Sequence, residues 1–315
     1  MKFNYPLRIF FIISIFISCE PDTTPDEPEE IPTVENIEIP DPNFKYALIN
    51  TNCVDTNGDN IGDIDLDSNN DGEIQKTEVE FIQRLILKFN YNEIKRSVDL
   101  KGIENFISLE YLEVTQGESG YIENSSSEQA SYDFKNLSKL KILKINYLQT
   151  NYIKKIDLTG LENLVEVNLS ENRASYFVSP EEWENPKDFI EINFNGCTSI
   201  IKLSMRNSFL NIDLCQIPTL KTLDMAYLEG GEPDIFDFHC LTMLEFLDIS
   251  ENYIETLILK NSSVLNTLLV YDIGNERDAN YPFLKNICLD DNEEEFNQIA
   301  NIIDESTVVT TECSF

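Results

Sequence analysis

Leu164-Val165-Glu166-Val167-Asn168-Leu169-Ser170 carries the pattern that most of this chain repeats. Leu164, Val167 and Leu169, followed by Asn172, spell L-x-x-L-x-L-x-x-N. Upstream the spacing returns at Ile82, Leu85, Leu87 and Asn90, at Leu109, Leu112 and Val114, and at Leu140, Leu143 and Ile145. Downstream it returns at Ile200, Leu203 and Met205, at Leu220, Leu223 and Met225, and at Leu244, Leu247, Ile249 and Asn252. Leu265, Leu268 and Val270 follow, and Leu284, Ile287 and Leu289 come last. Successive central residues, from Leu85 to Ile287, stand 19 to 36 residues apart. That is the period of a stacked repeat carrying insertions. One such unit cannot bury its own apolar face, so the units must stack into a solenoid.

Between these triplets lies a second apolar set. Ile153, Ile156, Leu158 and Leu161 match Phe209, Ile212, Leu214 and Ile217, and again Ile254, Leu257 and Leu259. Each turn of the solenoid therefore has two extended segments, one concave and one convex. Over residues 82–290 the pattern resembles the leucine-rich repeats of bacterial surface proteins, internalin-like and Bacteroidetes lipoprotein types included. The resemblance implies an α/β solenoid, a leucine-rich-repeat horseshoe of about nine repeats with short parallel strands. An N-terminal helix and calcium-loop cap at 37–81 would open it, and a capping helix within 291–315 would close it.

A formal charge of −34 over 315 residues argues against nucleic acid, whose phosphates require a basic surface. It also opposes attraction to anionic lipid. Such a charge keeps a protein soluble, and it suits divalent cations only where carboxylates are correctly spaced.

Residues 1–19 have the form of a signal peptide: Lys2 and Arg8 precede an apolar run from Ile9 to Ile17 that is too short to span a bilayer. Phe16-Ile17-Ser18-Cys19 resembles a bacterial lipobox, which implies lipidation of Cys19 as the first mature residue. Residues 20–36 are rich in proline and acid and read as an extended, self-repelling tether of ~3 Å per residue. An acidic run after the lipidated cysteine resembles the export signal of Bacteroidetes surface lipoproteins. The expectation is a monomer on the bacterial outer membrane, touching the membrane only through its lipid and exposed at the cell surface, with the periplasmic face as the alternative.

Asp41-Pro42-Asn43-Phe44 reads as the start of a capping helix. Asp41 would accept from free N–H groups, Pro42 would sit where no donor is needed, and Phe44 and Leu48 would cover the open end of the array. Next come Asp67, Asn69, Asp71, Gly72, Ile74 and Glu78, which match the twelve-residue loop of an EF-hand. Alternate oxygens at Asp67, Asn69 and Asp71 would converge on one Ca²⁺, with the Glu73 carbonyl, Gln75 or its water, and a bidentate Glu78 completing the shell. Upstream, Asp55, Asn57, Asp59, Asp63 and Asp65 form a second acidic series, with Asn60 where that loop needs glycine and Leu66 where it needs glutamate. This series is similar to thrombospondin type 3 calcium loops, which would imply a second ion. No Met-rich groove follows, so the expected calcium is structural.

Period-two alternation turns Arg84, Lys88, Lys144, Lys202 and Arg206 onto the concave face early, and Asp224, Asp248 and Asp290 late, together with Tyr111, Phe246 and Tyr271. These charges suit a protein partner, or simply a solvated sheet. Long insertions at 117–133, 172–187, 228–234 and 271–281 leave the strand ends on one edge and carry Tyr121, Tyr176, Phe177, Trp183 and Tyr281. Such aromatics suit a glycan or an interface hot spot, or pin the loops to the body. The residues singled out for ligand binding are Lys144, Lys202, Arg206, Tyr121, Trp183 and Tyr271.

Cys288 and Cys313 flank a segment in which Phe296, Ile299, Ile302 and Ile303 suggest an amphipathic helix, and a bridge between them would staple the end cap. Cys197, Cys215 and Cys240 sit in or beside the second apolar set and are expected as buried free thiols. Cys53 has no evident partner, and none shows zinc spacing. With His239 as the single histidine and no nucleophile elbow, the chain reads as a binding protein and not an enzyme.

Overall fold

A computed structural model describes residues 35–89, 98–116, 130–148, 153–172, 190–208, 210–228, 235–263, 265–271, 284–303 and 305–313. All lie in one compact unit from Glu35 to Phe315. The leader, Cys19 and the tether up to residue 34 fall outside them.

Helix α1 (Pro42–Asn50) begins as its sequence directs. The Asp41 carboxylate accepts from the N–H groups of Asn43 at 2.8 Å and Phe44 at 3.4 Å, with Pro at the first position. Phe44, Ala47 and Leu48 are buried. The second Asp41 oxygen accepts from the Asp99 N–H at 2.9 Å, which ties the cap to the segment preceding the second repeat.

Eight parallel strands form one sheet: β1 (Arg84–Phe89), β2 (Tyr111–Gln116), β4 (Ile142–Asn146), β6 (Glu166–Asn168), β8 (Lys202–Ser204), β10 (Thr222–Asp224), β12 (Phe246–Asp248) and β14 (Thr267–Leu269). Their register aligns Leu85, Leu112, Leu143, Val167, Leu203, Leu223, Leu247 and Leu268 in one inward row. The opposite side holds two four-stranded parallel sheets. One is β3 (Ala130–Asp133), β5 (Ile153–Asp157), β7 (Ile190–Asn193) and β9 (Leu210–Ile212). The other is β11 (Ile235–Asp237), β13 (Thr256–Ile258), β15 (Asn286–Cys288) and β16 (Val308–Thr310). The inward side chains of both sides join one continuous apolar core that runs from Ile37 to Ile299. The chain is a leucine-rich-repeat solenoid.

Three-residue strands leave backbone groups at their exits, and these are buried. At the exits of β4, β6, β8, β10 and β12 a non-glycine residue takes a left-handed conformation: Tyr147, Glu171, Asn207, Tyr227 and Glu251 have φ between 54° and 64°. The following residue decides how the exposed groups are satisfied. Asn172 donates to the carbonyls of Ile145 and Leu169 and accepts from the Leu148 N–H at 2.9 Å. Asn252 does the same for Met225, Ile249 and Leu228. Repeats with leucine at that position are thus served by the asparagine of the next repeat.

Three expectations need correction. The last triplet, Leu284, Ile287 and Leu289, does not extend the eight-stranded sheet; β15 pairs with β13, with Ile287 opposite Leu257. The reason is that Ile254, Leu257 and Leu259 share the same spacing, so spacing alone cannot assign a side. Asp290 therefore lies away from the eight-stranded sheet, accepting from the N–H groups of Asn261 and Ser262. Helix α3 (Glu293–Ile299), which follows a second short helix α2 (Lys76–Val79) in the chain, buries Glu295 and Ile299 and leaves Phe296 39% exposed. Glu295 goes inward because its carboxylate accepts from the Asp290 N–H.

The cysteines also differ from expectation. Cys288 and Cys313 are bridged as expected, with Cα atoms 5.2 Å apart, and Cys53 and Cys197 are buried free thiols. Cys215 and Cys240 are not free: they form a second disulfide with Cα atoms 5.4 Å apart. A 3₁₀ turn at Leu214–Gln216 turns Cys215 out of the core, where the apolar periodicity would have placed it.

Replacing Asn172 by Ala would strand the Ile145 and Leu169 carbonyls and the Leu148 N–H without water. Urea unfolding should show a loss of about 3 kcal/mol, against less than ~1 kcal/mol for Asn168→Ala on the solvated face. Equal effects at the two positions would show that water replaces the side chain of Asn172.

Candidate functional site

The side of the eight-stranded sheet facing away from the core carries a continuous polar network built from one residue per strand and its neighbours. Asn146 donates to the Asn168 carboxamide oxygen at 3.0 Å and to the Ser170 carbonyl at 2.9 Å. The Ser170 and Ser204 hydroxyls are 2.8 Å apart, and Ser204 donates to Asp224 at 3.3 Å. Arg206 then closes the row, with Nε donating to Asp224 at 3.2 Å and Nη2 to Asp248 at 2.5 Å. Its guanidinium also engages the Tyr271 side chain; burial opposes its charge, but Asp224, Asp248 and Tyr271 outweigh that and hold it protonated. The network spans β4 to β12 and reaches Tyr271, just beyond β14. Leu269, opposite Asp248 in the register, is 37% exposed, and Tyr271 is 53% exposed.

At the first strands the face is closed. Arg84 lies 4.3 Å over the Tyr111 ring and Lys144 5.2 Å from it, while the Tyr111 hydroxyl donates to Glu113 at 2.5 Å. Tyr111, expected to be open, is therefore buried. Its hydroxyl stays protonated because burial and the Glu113 carboxylate both oppose the phenolate.

Of the expected basic cluster, Lys88 is exposed and Lys144 lies over Tyr111, while the other three cations are paired. Lys202 pairs with Glu166 at 3.0 Å, Arg206 with Asp224 and Asp248, and Arg84 with Asp55 at 2.7 Å. With 23 basic against 57 acidic residues, each of these cations has found a carboxylate. Sequence reasoning missed Asn146, Asn168, Ser170 and Ser204, whose signal was the recurrence of small polar residues between and just beyond the core leucines. Tyr121, Tyr176, Phe177, Trp183 and Tyr281 lie outside the described residues.

The two acidic loops differ in what they leave available. In the second, the backbone wraps around Asp67, which is 6% exposed. Its oxygens accept from the N–H groups of Asp71 at 3.1 Å and Gly72 at 2.8 Å, helped by φ of 57° at Asn70 and 80° at Gly72. No basic side chain pairs with Asp67, Asp71 or Glu78 within 4.0 Å among the described residues, and the donors are all oxygens, which fits a hard divalent cation. Glu78 is turned onto the Ser68 N–H and hydroxyl, both at 2.8 Å, and onto the Gln75 N–H at 2.9 Å, so it must rotate to close the shell.

In the first loop Asp55 accepts from the Gly58 and Asn60 N–H groups and from Arg84 Nε, and Arg84 Nη2 reaches Asn60. Asn57 and Asp59 cap turns of the same loop, and Asp63 accepts from Thr56 and Asn57. A guanidinium already sits where a second ion would have to enter. This loop fits an ion poorly, and Arg84 links it directly to the Tyr111 corner of the sheet.

No family model matches the chain, and no curated protein matches it. Among solved structures it is similar to internalin C2 of Listeria monocytogenes, at 17% identity, covering 79% of this chain and 93% of that one with a TM-score of 0.30. It is also similar to the functional domain of InlJ of the same organism, at 15% identity over 88% and 72% of the two chains, TM-score 0.28. The internalin InlF of L. monocytogenes follows at 14% identity over 88% and 96%, TM-score 0.22. The functional reading accordingly rests on this chain's own surface.

Burial raises the pKa of Asp55, but the Arg84 guanidinium and the Gly58 and Asn60 amides outweigh it and hold the carboxyl at about 2, against an ordinary 3.8. A depressed folded value contributes stability above the unfolded pKa and loses it as pH falls through the folded one. Arg84→Met should therefore cost roughly 2 kcal/mol at neutral pH, and the difference from wild type should shrink as pH falls from about 4 towards 2. A gap that is constant across that range in denaturant titrations would show that Arg84 acts by packing alone.

Proposed function

We propose that the protein is a lipid-anchored binding protein of a bacterial outer membrane, displayed at the cell surface, that recognises a protein partner through the polar face of its eight-stranded sheet. The observation that carries this reading is the network from Asn146 to Tyr271. Its donors and acceptors are held in place before any partner arrives, which lowers the ordering cost of association. Exposed Tyr271 engages the clamped Arg206, and exposed Leu269 stands opposite Asp248, a mixture of apolar, aromatic and guanidinium groups suited to an interface centre. The lipobox-like Phe16-Ile17-Ser18-Cys19 and the acidic tether support the anchoring. The reading is of a binder and not of an enzyme: His239, the single histidine, is paired with Asp237 at the other side of the solenoid.

Labelled protein spanning residues 20–315 should bind cells or surface extracts that present the partner. Arg206→Glu and Tyr271→Ala should each weaken that binding at least tenfold, while Asn195→Ala on the opposite side leaves it unchanged. Binding that ignores both face variants overturns the assignment. Loss on Trp183→Ala together with competition by free sugars would instead favour a glycan ligand held by the insertion aromatics.

We further propose that Asp67, Asn69, Asp71, Glu73 through its carbonyl, Gln75 and Glu78 hold a structural Ca²⁺. The support is the fit of the donor set and the glycine turn. The same loop is fastened to the cap, since Lys45 pairs with Glu73 at 2.8 Å and the Ile37 N–H donates to the Ile74 carbonyl at 2.7 Å. Thermal unfolding should show a midpoint that rises with Ca²⁺ and falls with chelator, an effect abolished by Asp67→Ala or Glu78→Ala. An unchanged midpoint in the wild type would eliminate the ion.

A further inference from the structure

On the side away from the polar face, the second layer is broken. β9 ends at Ile212 and β11 ends at Asp237, and the two share no ladder among the described residues. The Cys215–Cys240 disulfide joins the turns that follow these strands, so it bridges the break. His239 immediately precedes Cys240. One of its ring nitrogens and the two sulfurs all lie within 4.8 Å of one another, and no other set of three or more His, Cys, Asp or Glu among the described residues converges in this way.

The imidazole is also oriented. Its Nδ1 lies 2.9 Å from Asp237 Oδ1, and the His239 N–H donates to the same oxygen at 2.9 Å. With Nδ1 protonated towards that carboxylate, Nε2 presents its lone pair, which is how a carboxylate prepares a histidine for a metal. Cys215 and His239 are exposed and Cys240 half-buried, whereas Cys288 of the other bridge is fully buried. Reductants and ions in solution can reach the first bridge directly.

We propose that Cys215, Cys240 and His239 form a soft-metal site that interconverts with the disulfide. A dithiol reduces the S–S bond by two electrons, giving two cysteine thiols and leaving the dithiol as its own disulfide. Zn²⁺ then displaces the two thiol protons and binds two thiolates and the imidazole, with water in the fourth position. A set of two sulfurs and one nitrogen selects Zn²⁺ or Cu⁺ over Ca²⁺, so this site and the oxygen-lined loop at Asp67 do not compete. Tetrahedral Zn–S bonds of about 2.3 Å require the sulfurs ~3.7 Å apart. Rotation of the two side chains supplies that separation, because no ladder ties the turns that carry them. In the reverse step an external disulfide takes up the two electrons by thiol–disulfide exchange: it leaves as its dithiol, the Cys215–Cys240 bond re-forms, and the ion is released.

The test uses protein spanning residues 20–315, reduced anaerobically with a dithiol, freed of reductant, and titrated with Co²⁺ and then Zn²⁺. One equivalent of Co²⁺ should give thiolate charge-transfer and tetrahedral d–d bands that Zn²⁺ abolishes. Unreduced protein and the Cys215→Ser/Cys240→Ser variant should show neither. Mass mapping after alkylation should find Cys215 and Cys240 protected by Zn²⁺, with Cys288 and Cys313 unprotected if they too are reduced. His239→Ala retains both cysteines and still forms the disulfide when oxidised, which reports that it has folded; its Zn²⁺ affinity should fall at least tenfold. The proposal is overturned if Cys215 and Cys240 resist reduction in the folded protein, if the reduced protein lacks a cobalt–thiolate band, or if His239→Ala binds Zn²⁺ as tightly as wild type.

Discussion

Every other feature depends on the burial that no single repeat can achieve alone. A strand of three residues offers one or two apolar side chains to the interior, too little to offset the entropy of ordering its turn. Stacking makes each repeat the lid of its neighbour, and the row from Leu85 to Leu268 is the result. The same shortness creates the second constraint, because a strand so brief ends where its backbone is still buried. Asn172 and Asn252 answer it by serving two repeats at once, and so the repeats are coupled by hydrogen bonds as well as by apolar contact.

The polar face inherits its order from that stacking. Strands at fixed register bring Asn146, Ser170, Ser204, Asp224, Arg206 and Asp248 into contact, although they are spread over more than a hundred residues of chain. In a chain this acidic, cations are scarce and are drawn into pairs. Arg206 and Arg84 thus serve the architecture of the face: one clamps two aspartates, and the other joins the acidic cap to the sheet through Asp55 and Tyr111. The two acidic loops differ in the same way: Arg84 is paired with Asp55 in the first, whereas in the second Lys45 pairs only with Glu73 at the loop's outside and no basic side chain meets Asp67, Asp71 or Glu78 among the described residues.

The opposite side shows where stacking alone is insufficient. Among the described residues β9 and β11 share no ladder, and a disulfide joins the turns that follow them. The chain then completes that layer with two strands from beyond the last repeat of the other sheet, β15 and β16, closed by the Cys288–Cys313 bridge.

The sequence by itself determined the solenoid, the identity of its core residues, the cap at Asp41 and the end staple, because periodicity, capping chemistry and short-range spacing are local properties written in order along the chain. It did not determine to which sheet Ile287 belongs, since the triplets on the two sides have the same spacing. Nor did it reveal that Arg206 is neutralised from two later repeats, that Tyr111 is roofed by two cations, or that Cys215 meets Cys240 and His239. Those facts depend on which residues become neighbours across strands, and only register and stacking, settled by the whole array at once, decide that.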